Sequence, residues 1–371
     1  HGVGMKRIVC LVSLFISTPS LCKTVIFIDN SVSNDTYIAS NKERQISQAY
    51  TLGLERLKKV CKLESKQLIG KEPLSIFKQA EEVNSIKGAK IIFGLIHSSE
   101  ALLAAEAFKS ARIIGLSSGA ATDNLNAKNP FFFSLANPIS DVSLHVKEYM
   151  LKKKLKKPIA IIPGNSSYSI ELANSLKATL SLIGLKLEIE HIDTTKNNQE
   201  FIQGKINRKN YDFIYVPGFL QQTLPIFESV TRTDFNGIVY GSANLARSKT
   251  DLKLFSDSLK LKNLTLRFPA TWLNGETSNS SALEKEFMKR FGQEIMGTAI
   301  YTYDAVVIAG SFLCMSTSDL TPESFTKFLK TEVMSGKIPS ARKYYGLKNG
   351  HLISNIRTVK YNSALQSLEA E

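Results

Sequence analysis

Residues Ala89–Pro138, AKIIFGLIHSSEALLAAEAFKSARIIGLSSGAATDNLNAKNPFFFSLANP, decide how this chain is read. They predict an apolar strand over Lys90–Ile96, a polar turn at His97, Ser98 and Ser99, and a helix with Leu102, Leu103, Ala105 and Phe108 inward. A second strand, Arg112–Leu116, and a second polar turn, Ser117–Thr122, follow. Both strands are short, unbroken apolar runs, the pattern of a parallel sheet covered by helices on both faces. Ligands of open α/β sheets sit at the carboxyl ends of strands. Two successive strands therefore end, on that edge, in turns whose hydroxyls and backbone N–H groups suit a carboxylate or carbonyl.

Outward from this stretch the same alternation continues. Val25–Asp29 predicts the first strand, and a polar loop runs over Asn30–Ser40. A helix follows with Ile46, Tyr50, Leu54 and Leu57 on one stripe, then a helix over Leu74–Ile86. After Asn137-Pro138 the pattern restarts: helix Ile139–Leu155, strand Pro158–Ile162, turn Pro163–Ser167, helix Tyr168–Ile183 and strand Leu185–His191. Helix Asn198–Arg208, strand Tyr211–Val216, helix Leu220–Val230 and strands Gly237–Tyr240 and Asn263–Ala270 come next. Three helical stretches, Ser281–Phe291, Thr298–Met315 and Pro322–Val333, precede KYYGLKNGHLISNIRTVKY, whose Asn-Gly pair predicts a terminal hairpin. Alternating strands and helices mean right-handed βαβ units, and the restart implies two sheets. A chain of 371 residues accommodates two such domains.

A composition of 43% hydrophobic and 22% charged residues is that of a soluble globular protein, which excludes a fibrous or disordered chain. From Met5 the sequence MKRIVCLVSLFISTPSLC places Lys6 and Arg7 before a short apolar run, the pattern of a cleavable export signal, with cleavage expected after Cys22. The four preceding residues, HGVG, read as an upstream extension. A lipoprotein reading of Cys22 is the weaker one, because bulky Leu21 stands where such sites take a small residue. No other segment reads as transmembrane. After cleavage Cys61 and Cys314 remain; an oxidising compartment lets them pair, and sequence alone does not place them within reach. The net charge of +14 would fall to +12 with loss of Lys6 and Arg7. The densest basic run, Lys152, Lys153, Lys154, Lys156 and Lys157, ends a predicted helix and has no interleaved aromatics; it reads as a solvated cap and not as a nucleic-acid site.

FGLIHSSEALLAAEAFKSARIIGLSSGAATDNL followed by NPFFFSLANP resembles the first ligand-binding segment of the type I periplasmic binding proteins, the leucine/isoleucine/valine-binding family that feeds ABC importers. EKEFMKRFGQE and GTAIYTYDAVVIAGSFL resemble that family's Phe-x-x-x-Tyr/Phe-Gly and Ala-x-x-x-Tyr-Asp-Ala-Val segments, so the resemblance spans the mature chain. It implies an α/β fold of two Rossmann-like lobes with parallel sheets joined by a three-strand hinge. The first lobe is expected to hold residues 23–137 and 268–337, and the second 138–267 and 338–371. Crossings are expected near Phe133–Pro138, Arg267–Trp272 and Lys337–Tyr345. In that family a disulfide can reach the turn before the Ser-Ser pair; His97 stands there, so Cys61 lacks that partner.

Carried over by position, Ser98 and Ser99 match the first ligand-binding turn, and Ala120 and Thr122 match the second, with Gly119 and Ala121 as rivals. The alternative for the serines is helix N-capping. GNSSYSIELANSLKATL places Tyr168 where a ring closes over the ligand, with Ser169 replacing a glycine, and VPGFLQQTL places Phe219 similarly. A core tyrosine is the alternative for Tyr168. At YGSANLARS the relatives carry an acid that pairs with a ligand ammonium; here Ala243 or Asn244 occupies its place. Either Glu100, Glu276 or Asp304 takes over, or the ligand is not an α-amino acid, the reading favoured here. His97 offers a further donor to an anionic ligand or is structural. The expected function is capture of a small polar solute, amino-acid-like, amide or carboxylate, by a periplasmic monomer for an ABC permease. The same module used as a sensor or envelope protein is the alternative. A third reading, a serine hydrolase, rests on Gly115-Leu116-Ser117-Ser118-Gly119, a G-x-S-x-G after a strand, but the following AATDNLNAKNP lacks the required helix. No cofactor, metal spacing or nucleotide loop is present in the sequence.

Overall fold

The computed structural model describes residues 23–29, 38–70, 74–193, 198–243, 266–272, 275–316, 320–362 and 367–371. The expected leader, residues 1–22, and Asn244 lie outside them. In chain order the first lobe contains β1 (Lys23–Asp29), α1 (Ile38–Lys58), β2 (Glu64–Ile69), α2 (Ser75–Ser85), β3 (Ala89–Gly94), α3 (Ser98–Ala107), β4 (Ile114–Ser117), α4 (Leu125–Lys128) and β5 (Phe132–Ser134). The second continues with α5 (Ile139–Lys152), β6 (Pro158–Pro163), α6 (Ser167–Ser181), β7 (Glu188–Ile192), α7 (Gln199–Arg208), β8 (Phe213–Val216), α8 (Leu220–Thr231), β9 (Ile238–Gly241) and β10 (Leu266–Ala270). The chain then adds α9 (Ser278–Phe291), α10 (Gly297–Met315), α11 (Pro322–Phe328), β11 (Gly346–Lys348) and β12 (His351–Ile353) to the first lobe. It ends with β13 (Arg357–Asn362) and β14 (Ser367–Ala370) in the second.

The described strands form two seven-stranded sheets, ordered β11-β12-β5-β4-β3-β1-β2 and β14-β13-β10-β9-β8-β6-β7. Their central strands are parallel and buried almost end to end, as the unbroken apolar runs require. The exception is β2, absent from the sequence reading: ESKQLI is mostly solvent-facing, and only its parallel pairing with β1 makes it a strand. In the first core Phe27 stacks on Phe93 and Tyr50 at centroid distances of 5.2 and 4.9 Å.

Helix α10 runs through that core, apolar all round and buried on nearly every side. It is long and apolar enough to cross a membrane, which the sequence reading overlooked, but its sides are covered by this protein's own sheet and helices. Gly53 and Gly310 allow α1 to lie directly against it: a Cβ on the former would strike Val306, and on the latter Leu57.

The third crossing is not where the sequence placed it. Asn349 and Gly350, both at positive φ, close a two-residue hairpin turn between Lys348 and His351. His351 then pairs with Ser134 of β5, which keeps the hairpin in the first sheet, so the chain crosses at 354–356 and not within Lys337–Tyr345. The first lobe therefore extends to Ile353, and β10, through Ala270, belongs to the second sheet. The other crossings run over 135–138 and between the end of β10 and the start of α9.

Polar side chains bind the three crossings to one another. Asn137 donates to the Ser354 carbonyl at 2.8 Å and accepts from the Ser354 N–H at 3.2 Å, joining the first to the third. An ion pair of 2.6 Å between Arg357 and Glu276 joins the third to the second. Arg342, fully buried, donates to the Leu135 carbonyl at 2.8 Å, and its guanidinium lies 3.5 Å from the centre of the Tyr301 ring, whose hydroxyl meets Thr271. Asp304, also fully buried, accepts from the Ala341 and Arg342 N–H groups, the Arg342 Nε and the Tyr344 hydroxyl. Burial pushes the Asp304 carboxyl up, and the Arg342 guanidinium with these donors pulls it back.

A disulfide joins Cys61, just beyond α1, to Cys314 in the last turn of α10, with a Cα–Cα distance of 5.9 Å across 253 residues of sequence. It staples two helices that lie directly against each other in the first lobe. Replacing both cysteines by serine removes the restriction that the bridge places on the unfolded chain. The loss should cost about 2–5 kcal/mol, or a melting temperature lower by roughly 5–15 °C. Calorimetry of the double variant checks this, and an unchanged melt would show that the bridge contributes nothing.

Candidate functional site

The turns after β3 and β4 are built together. Leu95 takes a positive φ of 51°, which turns the chain sharply as it leaves β3. Ser117 donates its hydroxyl to the Leu95 carbonyl at 2.7 Å and accepts from the Ala120 N–H at 2.8 Å and the Gly119 N–H at 3.3 Å. Ser98 accepts from the Ala121 N–H at 3.2 Å, so the first hydroxyl turn holds the second. His351 completes the arrangement from below: its ring nitrogens lie 2.8 Å from the Ala136 carbonyl and 3.0 Å from that of Thr122.

The second lobe brings three turns to the opposite side. Ser166 caps α6, its hydroxyl accepting from the Ser169 N–H at 3.4 Å, and this presents Tyr168 in the first turn of the helix. Ser242, after β9, donates to the Gly218 carbonyl at 2.6 Å and fixes the loop that carries Phe219. Phe219 then sits between the lobes. Its ring meets Tyr168 at 5.6 Å and the His97 ring, edge-on, at 6.1 Å. A hydrogen bond of 3.2 Å from the Thr122 hydroxyl to Glu171 of α6 also crosses the boundary. Burial is the main force raising the Glu171 carboxyl, Asp123 adds to it, and the Thr122 bond opposes it.

The structure thus brings together Ser98, Thr122, Tyr168 and Phe219 of the residues singled out in the sequence. Ser99 is exposed in the first turn of α3. His97 occupies the N-cap position of α3 without a side-chain cap bond, and Ser98 is bonded to Ala121 instead, so the capping alternative for Ser98 does not hold. Ala120 is fully buried, its N–H bonded to Ser117 and its carbonyl to Ser134, which leaves its backbone nothing to offer a ligand. Its rival Ala121 packs against the core of the second lobe. Asn244 lies outside the described residues. Asp304 and Glu276 are engaged at the hinge and do not replace the missing acid, and Glu100 is buried in the first turn of α3. Ser117 is wholly buried with its hydroxyl proton on the Leu95 carbonyl, so G-x-S-x-G here is a turn lock and not a nucleophile. Glu171 was missed; its spacing of three from Tyr168 on one helix was the available signal.

Tyr168 is half-buried and borders the boundary, so Tyr168→Ala should weaken solute binding roughly tenfold while the melt stays cooperative. Titration calorimetry beside a thermal melt checks both; loss of fold at unchanged affinity would make it a core residue. Burial pushes the His351 and His145 imidazoles down, opposed at His351 by the Ala136 and Thr122 carbonyls and at His145 by Glu148. A group with a depressed folded pKa binds fewer protons folded than unfolded, so its contribution is complete above the usual histidine value of about 6.5 and is lost as pH falls from there through the folded value. The melting temperature should therefore fall between pH 7.5 and 5.5, with a shallower slope in His351→Asn; an equal slope would remove His351 from the account.

The profile of the periplasmic binding protein family matches residues 77–366. No curated protein matches this chain by sequence. Among solved structures it is similar to a leucine binding protein from Thermotoga maritima (TM-score 0.76, 12% identity, covering 95% of this chain and 98% of that one). It is also similar to a branched-chain amino acid transporter substrate binding protein from Streptococcus pneumoniae in complex with isoleucine (TM-score 0.73, 12% identity, covering 95% and 99%). A solute binding protein from R. palustris in complex with benzoate is similar as well (TM-score 0.70, 12% identity, covering 94% and 95%). Two mixed, mainly parallel sheets joined by three crossings, with turns converging between them and a family profile over most of the length, place the chain in the periplasmic binding protein family.

Proposed function

We propose that this protein is an exported, monomeric solute receptor that closes two lobes on a small polar ligand and delivers it to an ABC permease. The observation that carries this reading is the contact set between the lobes: Thr122 on Glu171, and Phe219 between His97 and Tyr168. These groups come from the carboxyl ends of strands in two separate sheets, the edge where open α/β sheets take ligands. Ser98, Ser99, Thr122, Tyr168 and Phe219 are the proposed lining, and Asn244, outside the described residues, is proposed with them. Export rests on the Met5–Cys22 pattern and on the disulfide, which suits an oxidising compartment. Capture works by population shift: a solute that touches both walls only when they are together favours the closed form by its difference in affinity for the two forms.

Thermal melting against amino acids, amides, carboxylates, short peptides and sugars tests the reading. A specific solute at about 100 times its dissociation constant adds roughly 2.7 kcal/mol and raises the melt by several degrees. A rise confined to one chemical class is expected. No rise with any class would overturn solute capture.

A further inference from the structure

The turn where an acid was sought holds Ala243, yet the boundary between the lobes is not without one. Glu171 lies three residues beyond Tyr168, on the same face of α6, and both are half-buried. Its Oε1 takes the Thr122 hydroxyl at 3.2 Å from the other lobe, so the carboxylate points across the boundary and not along the surface of its own domain. Among the described residues no cation is one of the groups that act on it. Asp123, its charged neighbour, is itself engaged across the boundary, where it accepts from the Ser140 hydroxyl at 2.8 Å and the Ser140 N–H at 3.3 Å at the start of α5. An ionised carboxylate only accepts hydrogen bonds. A solute that presents a carboxylate to this corner meets two like charges, whereas one that presents a charged N–H donor meets an acceptor with capacity left after the Thr122 bond.

We propose that Glu171 is the specificity-determining residue of the cleft, and that it selects solutes carrying an ammonium group. This rests on the solute-capture reading. The carboxylate supplies from α6 the counter-charge that the 243 position does not, and a charge-assisted bond of this kind is about twice as strong as a neutral one. Thr122 positions it: the bond that links the lobes also orients the acceptor toward the space between them. The inference reverses the preference of the sequence reading for a ligand without an amine.

The test is calorimetric titration of the purified wild type and of Glu171→Gln, which is isosteric and still accepts from Thr122. The probes are pairs that differ only in the amine: alanine and propionate, leucine and 4-methylpentanoate, phenylalanine and 3-phenylpropanoate. Wild type should bind one amine-bearing member at least tenfold tighter than its partner, and Glu171→Gln should erase that ratio while its melt stays near wild type. A purely structural role for Glu171 would weaken both members of a pair equally and leave the ratio intact, which overturns the proposal. Equal binding of both members by wild type overturns it as well, with solute capture left standing. Heat from none of the six, together with no thermal shift across the wider panel, overturns solute capture itself.

Discussion

A buried arginine fixes the joint on which both lobes depend. Arg342 and Asp304 are removed from water together, and such a pair generally gains little net stability, because desolvation offsets most of the attraction. Its value is geometric. One guanidinium reaches the Leu135 carbonyl of the first crossing and lies on Tyr301, which meets Thr271 of the second; Asn137 with Ser354 and Glu276 with Arg357 close the triangle to the third. Removing one partner of a buried pair costs about 3–5 kcal/mol because the other is left unmatched, so the arrangement resists local distortion. The two sheets are thereby joined through crossings that side chains tie to one another, an arrangement suited to hinge closure as opposed to general loosening.

Across the boundary the described side-chain contacts fall in two groups: beside the first crossing, Asp123 with Ser140 and Lys348 with Asp141; farther out, Thr122 with Glu171 and His97 with Phe219. The outer group, one neutral-to-charged hydrogen bond and one edge-on ring contact, is worth roughly 2–4 kcal/mol, before the ordering of the side chains is subtracted. Moving an equilibrium from one part in a hundred closed to ninety-nine takes a differential affinity of about 5.5 kcal/mol. The outer contacts alone are smaller than that, so they do not by themselves lock the lobes together. A solute that bridges the walls has room to decide the outcome.

The central strands were legible because burial on both faces demands unbroken apolar runs, and IIFG, IGLS and PIAIIP show that demand directly. What was misread depends on partners far along the chain. ESKQLI has no strand signature of its own and acquires one only beside β1. The Asn349-Gly350 turn was read from its residues, but which sheet the hairpin joins is set by His351 against Ser134, a pairing over more than two hundred residues. The Cys61–Cys314 bridge and the Arg357–Glu276 pair are hidden for the same reason. Of the residues expected at the site, Ser98, Thr122, Tyr168 and Phe219 come to the lobe boundary. Ala120 is instead taken up in turn-internal bonds, because small and hydroxyl residues serve such bonds as readily as a ligand. Glu171 escaped because a carboxylate on a helix is ordinarily a surface residue, and only the opposing lobe makes this one different.

Net charge shows the same division between global and local. A formal +14 would suggest an anionic partner, and a basic surface does raise the local concentration of anions. That field comes from solvated side chains such as the Lys152–Lys157 run, and at physiological salt it is screened within about 8 Å. Glu171 is half-buried against Thr122 and Asp123, where screening is weaker and a single charge counts for more. On the proposed role of Glu171, the charge nearest the solute is therefore acidic although the chain as a whole is basic.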